Sequence, residues 1–158
     1  MKYIKLKSLI ENYPLDDFDS FQSINRIHLR NMDSFTDAYI TCALWSSTDN
    51  LTDSGGDPLD KKYTVEDIEQ TTLARIEKDC RDFQTKYSEL YTSGGWSDEQ
   101  AGHDFWLTRN GHGSGFTDRG YDYDQEEIGE QLKKAAKTYG EFNLYLGDGP
   151  YDGMICGT

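Results

Sequence analysis

One apolar stripe constrains this chain more than any other feature in it. Val65, Ile68, Thr72, Ile76, Cys80, Phe83, Tyr87 and Leu90 recur every three or four residues. That spacing sets side chains along one face of an α-helix. Thr64 and Asp67 ahead of the stripe form a capping-box pattern, and the run TSGGW behind it carries glycines suited to a C-terminal cap. The spacing predicts one helix of about seven turns. A stripe that long needs a second layer to cover it, so the chain has to build a packed core. Its 158 residues, 13% of them aromatic, suffice for one domain without disulfide or metal support.

Two more helices and a short sheet supply that layer. Ser34 with Asp37 opens a second capping-box pattern, and Phe35, Ala38, Tyr39, Cys42 and Trp45 follow it at helical spacing. Asp124 with Glu127 starts a third, with Ile128, Leu132, Ala135, Ala136 and Tyr139 as its inner face and Gly140 as its stop. The tail EFNLYLGDGPYDGMICGT reads as a strand, a Gly-Asp-Gly-Pro turn and a short returning strand. The expected fold is α+β, with about three helices packed on a small, mainly antiparallel sheet. Residues 1–32 form an N-terminal arm or extension, with KYIKLK and INRIHLR as possible strands, and residues 33–158 a single α+β domain.

Charge narrows the function classes. The formal net charge is −13, and it is uneven. Residues 1–30 hold five Lys and Arg against four Asp and Glu, whereas residues 31–158 hold eleven against twenty-five. Such a body repels nucleic acid and anionic lipid and attracts basic protein surfaces. Direct nucleic-acid binding and membrane association are therefore not expected. Cys42, Cys80 and Cys156 are odd in number and widely spaced, the pattern of reduced, buried thiols and not of a disulfide framework or a zinc knuckle. No apolar run approaches a membrane span and the N-terminus lacks a signal-peptide pattern, so a cytoplasmic protein is expected. Asp49, Asp53, Asp57 and Asp60 crowd one loop, but their spacing fails the calcium-loop rule, with Leu51 and Ser54 at positions that require an oxygen ligand and a glycine.

The scarce cations and histidines gather in AGHDFWLTRNGHGSGFTDRG, residues 101–120. HDFWLTR alternates, SGFTDRG can answer it, and Asn-Gly is a strong hairpin cue, so the run is expected as a β-hairpin with NGHG at its tip. Trp106, Arg109, Asn110, His112, Phe116, Asp118 and Arg119 would then face outward as a binding surface. An enzyme would use His103 and Asp104 as its acid–base pair. A hairpin separates His103 at the base from His112 at the tip by on the order of 17 Å, which argues against a metal held by both. No metal and no cofactor are expected.

FTDAYITCALW, GGDPLDKKY and above all AGHDFWLTRNGHGSGF resemble segments of a family of small acidic proteins encoded by tailed bacteriophages. The resemblance spans roughly residues 33 to 148 and is most specific in the central run. The family carries an aromatic residue where this chain has Thr117. It brings no catalytic residue to carry over. It implies a phage accessory protein in the host cytoplasm, one that binds and inhibits or redirects a host protein handling nucleic acid or serving defence. The acidic body fits a partner with a basic surface, reached by imitating phosphate charge. The alternative is a nucleotide or small-molecule binding protein, with a hydrolase as one form of it, centred on residues 103–119.

Overall fold

A computed structural model describes residues 31–50, 55–118 and 123–158. The arm expected over the N-terminal segment, the two strands within it, Asp53 and Arg119 lie outside the described residues. Met32–Thr158 forms one compact unit.

Four α-helices and a two-stranded antiparallel sheet make up the described part of this unit: α1 (Ser34–Ser46), α2 (Gln70–Ser93), α3 (Asp98–Arg109), α4 (Tyr123–Lys137), β1 (Leu144–Leu146) and β2 (Ile155–Gly157). The α+β class stands, with four helices where about three were expected. The extra one is α3, which occupies the run read as a hairpin.

Each expected helix forms, with its start adjusted by local chemistry. At α1 the cap is Asp33 and not Ser34: its carboxylate accepts from Thr36 N at 3.0 Å and Thr36 Oγ1 at 2.8 Å, and also from Gln84 Nε2 at 3.1 Å. Asp33→Ala removes the N-cap and a tie to α2. It is expected to cost about 1–2 kcal/mol in chemical denaturation. The Thr64–Asp67 capping box is present, but it closes only the short 3₁₀ turn Val65–Asp67. Ile68 is then drawn into a parallel bridge with Ile155, and Glu69 N–H donates to Ile155 O at 2.8 Å. That pairing holds the backbone extended, so α2 begins only after Glu69. The Glu69 carboxylate caps it by accepting from Thr71 N and Thr72 N.

The tail behaves as its sequence suggests. Leu144, Tyr145 and Leu146 pair with Gly157, Cys156 and Ile155, and a 3₁₀ turn at Gly149–Tyr151 lies between the strands. The sheet packs on α2 through Gly157, whose N–H donates to Thr72 Oγ1 at 3.1 Å.

Aromatic rings fill the space between the helices. Phe105 of α3 stands at the centre, 4.2 Å from Phe83, 5.1 Å from Tyr139, 5.4 Å from Tyr39 and 6.0 Å from Phe35 between ring centroids. Edge and tilted contacts of this kind add to the area term that drives burial. All three cysteines are buried and none forms a disulfide. No described helix is long and apolar enough to cross a membrane.

Candidate functional site

The central run is a helix because its neighbours cover it on nearly every side. Ala101, Gly102 and Asp104 to Arg109 are all buried, so α3 shows no amphipathic stripe. The apparent alternation of HDFWLTR is therefore not a strand pattern. Ser97 caps the start, accepting from Gln100 N at 3.1 Å, with Asp98 and Glu99 in the first turn where the helix dipole favours them. Asn-Gly serves as a helix stop instead of a hairpin tip. Gly111 takes φ +70°, its N–H donates to Thr108 O, and His112 N–H reaches back to Leu107 O at 2.9 Å. The same paired-bond cap ends α2, where Gly95 at φ +88° donates to Thr92 O and Trp96 N–H to Tyr91 O.

This geometry corrects the outward-facing surface. Trp106 and Phe116 are 1% and 0% exposed. Trp106 Nε1 donates to Ser46 Oγ at 2.7 Å, and Ser46 Oγ donates to Cys42 O, tying α3 to the end of α1. Phe116 folds back over α3, its N–H on Thr108 Oγ1 at 3.1 Å and its ring beside Phe83 and Trp96.

Arg109 is also interior. Its guanidinium donates to Gly140 O (2.8 Å), Tyr139 O (3.0 Å), Tyr39 OH (3.0 Å) and Asp79 Oδ2 (3.1 Å). The rings of Phe105, Tyr139 and Phe142 lie within 6 Å of it. Burial pushes the Tyr39 hydroxyl far above its ordinary value, against the opposing pull of Arg109. Asn110 joins α3 to the tail, donating to Trp106 O and accepting from Phe142 N at 2.7 Å. Asp118 is exposed, and its carboxylate accepts from Gly115 N at 3.3 Å. Among the residues expected at the surface, then, Trp106, Arg109, Asn110 and Phe116 have structural work, and His112 remains exposed.

His103 and Asp104 do form a pair. Asp104 is fully buried; its Oδ1 accepts from Gln100 Nε2 at 2.8 Å and lies 3.3 Å from His103 Nδ1, while Oδ2 accepts from Trp96 Nε1 at 2.9 Å.

A cleft of about 380 Å³ opens beside this pair, lined by Trp45, Ser46, His103, Leu107, His112, Gly113 and Ser114. Three elements build it. Trp45 and Ser46 come from the last turn of α1, and His103 and Leu107 stand one helical turn apart on α3. The loop after the glycine cap carries His112 back toward them, with Ser114 held at φ +68°. The helix thus brings together on one cleft the two histidines that a hairpin would have kept apart. A second concavity of about 450 Å³ is lined by Ser88, Glu89, Thr92 and Ser93, all from the last turns of α2, and is a groove between neighbouring side chains.

Trp45 is the site residue the sequence misplaced. Its spacing put it on the buried stripe of α1, yet it is 60% exposed on the cleft rim. Among the described residues no Lys, Arg, Asp or Glu lines the cleft. Among the described residues no group of three or more His, Cys, Asp or Glu is placed to hold a metal ion. Comparison with protein-family models, curated proteins and solved structures gives no match.

Proposed function

We propose that this chain is an acidic interaction protein that docks on a basic surface of another protein. The observation that carries the reading is an acidic pole. The end of α2 and the starts of α3 and α4 meet there, joined by Gln125 Nε2 donating to Gly94 O at 3.0 Å and by Gly94 lying against Ile128. Glu89, Asp98, Glu99, Asp118, Asp124, Glu126, Glu127 and Glu130 are all exposed within residues 87–118 and 123–132, where the only described Lys or Arg is the buried Arg109. Helix dipoles account for the carboxylates in the first turns of α3 and α4. They do not account for Glu89 near the C-terminal end of α2, nor for Glu127 and Glu130 further along α4.

On the resemblance to tailed-phage proteins we infer that this docking occurs in an infected cell, on a host protein that handles nucleic acid or serves defence and offers its phosphate-binding surface. Acidic charge of this density steers encounter more than it tightens the final complex. The test is capture of a single host protein by the full chain at low ionic strength, followed by association kinetics with that protein. Changing Glu99, Glu126, Glu127 and Glu130 to glutamine is expected to slow association at least about tenfold and to flatten its salt dependence. Far-UV circular dichroism should be unchanged. Association that is indifferent to salt and to the four substitutions would refute charge-steered docking.

A further inference from the structure

We propose that the cleft between Trp45 and the His103 and His112 imidazoles binds a neutral planar heteroaromatic compound of the nucleobase class. The cleft lies on the ends of α1 and α3 and uses none of the acidic-pole residues, so it stands or falls independently of docking there.

Its volume of about 380 Å³ lies within the range of roughly 300–1,000 Å³ typical of small-molecule sites. Trp96 and Trp106 are 5% and 1% exposed, but Trp45 keeps 60% of its surface in water at the cleft rim. An exposed indole at the mouth of a concave site is a platform for a flat ring, and one base stacked on an aromatic side chain contributes about 1–3 kcal/mol. The floor is apolar at Leu107, which is 4% exposed. The histidines supply polar recognition. Asp104, held by Trp96 and Gln100, orients the His103 ring through Nδ1, and an imidazole can donate or accept. His112, on the loop, adds a second imidazole that can donate or accept. A flat ring edged with both donors and acceptors matches this set, and an aliphatic sugar does not.

A net charge of −13, with no Lys or Arg among the described lining residues, favours an uncharged base or nucleoside over its phosphate ester. A phosphate on the ligand would meet the field of the acidic body.

Tryptophan fluorescence reads this site directly, because Trp45 is the exposed indole of the three. The full chain is titrated with adenosine, guanosine, cytidine and uridine and with their 5′-monophosphates, and calorimetry gives the same affinities without an optical probe. At least one nucleoside is expected to quench the emission saturably and to bind more tightly than its monophosphate. Trp45→Ala should lower the calorimetric affinity at least about tenfold. His103→Gln and His112→Ala should each weaken it about threefold or more. These three side chains are at least partly exposed, and far-UV circular dichroism confirms that the variants fold. Quenching that stays linear for all four nucleosides, or an affinity unchanged in all three variants, would overturn the proposal. A monophosphate that binds more tightly than its nucleoside would overturn the preference for a neutral ligand.

Discussion

Arg109→Ala is expected to cost about 3–5 kcal/mol of stability, lowering the melting temperature by roughly 6–20 °C. The guanidinium side chain is fully buried, and Asp79, its ionic partner, keeps 20% of its side-chain surface in water. Asp79 alone could rehydrate after the substitution, so the ion pair accounts for the smaller share. The larger share comes from the buried hydroxyl of Tyr39 and the part-buried carbonyls of Tyr139 and Gly140, which would lose a charged donor. A buried acceptor left unmatched, as the Tyr39 hydroxyl would be, costs about 1–3 kcal/mol, and the part-buried carbonyls cost less because water reaches them. Tyr139 and Gly140 lie in the turn that follows α4, so Arg109 fastens that turn to α3. Arg109→Lys is expected to recover only part of the loss, because a single ammonium cannot serve four acceptors spread around a planar fork. Urea denaturation of the wild type, Arg109→Ala, Arg109→Lys and Asp79→Asn separates the contributions. A loss below about 1 kcal/mol for Arg109→Ala would mean that water or neighbouring groups replace the fork.

The same residue shows how far the sequence could be read. An arginine next to Asn-Gly, in a chain poor in cations, suggests a presented charge, and nothing local says that four acceptors await it inside. Tyr39, Asp79, Tyr139 and Gly140 lie 30 or more positions away and converge only through packing. The helices α2 and α4 were legible because each is amphipathic, with one apolar face, one wet face and a period to count, whereas α1, buried on several sides, was legible mainly from the capping pattern at its start. The helix at 98–109 was not, because it is enclosed by the others. Burial of consecutive residues from Asp104 to Arg109 erases the period, and what remains mimics alternation.

Its true signals were its ends. Ser97 with Asp98 and Glu99 is a start, and Asn110-Gly111 is a stop as well as a hairpin cue. Reading the ends before the period would have given the helix. The strand pair at 144–157 was legible because glycines and a proline mark its turn. The cleft could not be read from the chain, since it depends on how closely α1 and α3 cross.

That crossing rests on Gly102, and Gly102→Ala is expected to destabilise the protein by about 2–4 kcal/mol. Helix propensity alone predicts the opposite sign, a gain of about 1 kcal/mol for alanine over glycine inside a helix. The space decides otherwise. A Cβ on Gly102 would overlap the Phe35 carbonyl oxygen and stand 3.0 Å from Phe35 Cα. These are backbone atoms of the facing helix, so no rotamer change relieves the contact. Overpacking of this kind costs about 1–3 kcal/mol, and more where the backbone must move.

The helices have to separate, and the consequence reaches the cleft. Gly102 is adjacent to His103, and the Trp106 Nε1–Ser46 Oγ bond spans the same interface beside Trp45. Gly102→Ala should therefore change the near-ultraviolet circular dichroism of Trp106 and weaken any ligand of the cleft. A neutral or stabilising result would mean that helix propensity outweighs the close approach, and that α1 and α3 have room to spare. Loss of stability with the cleft unaffected would mean that the crossing distance does not set the geometry of Trp45 and His103.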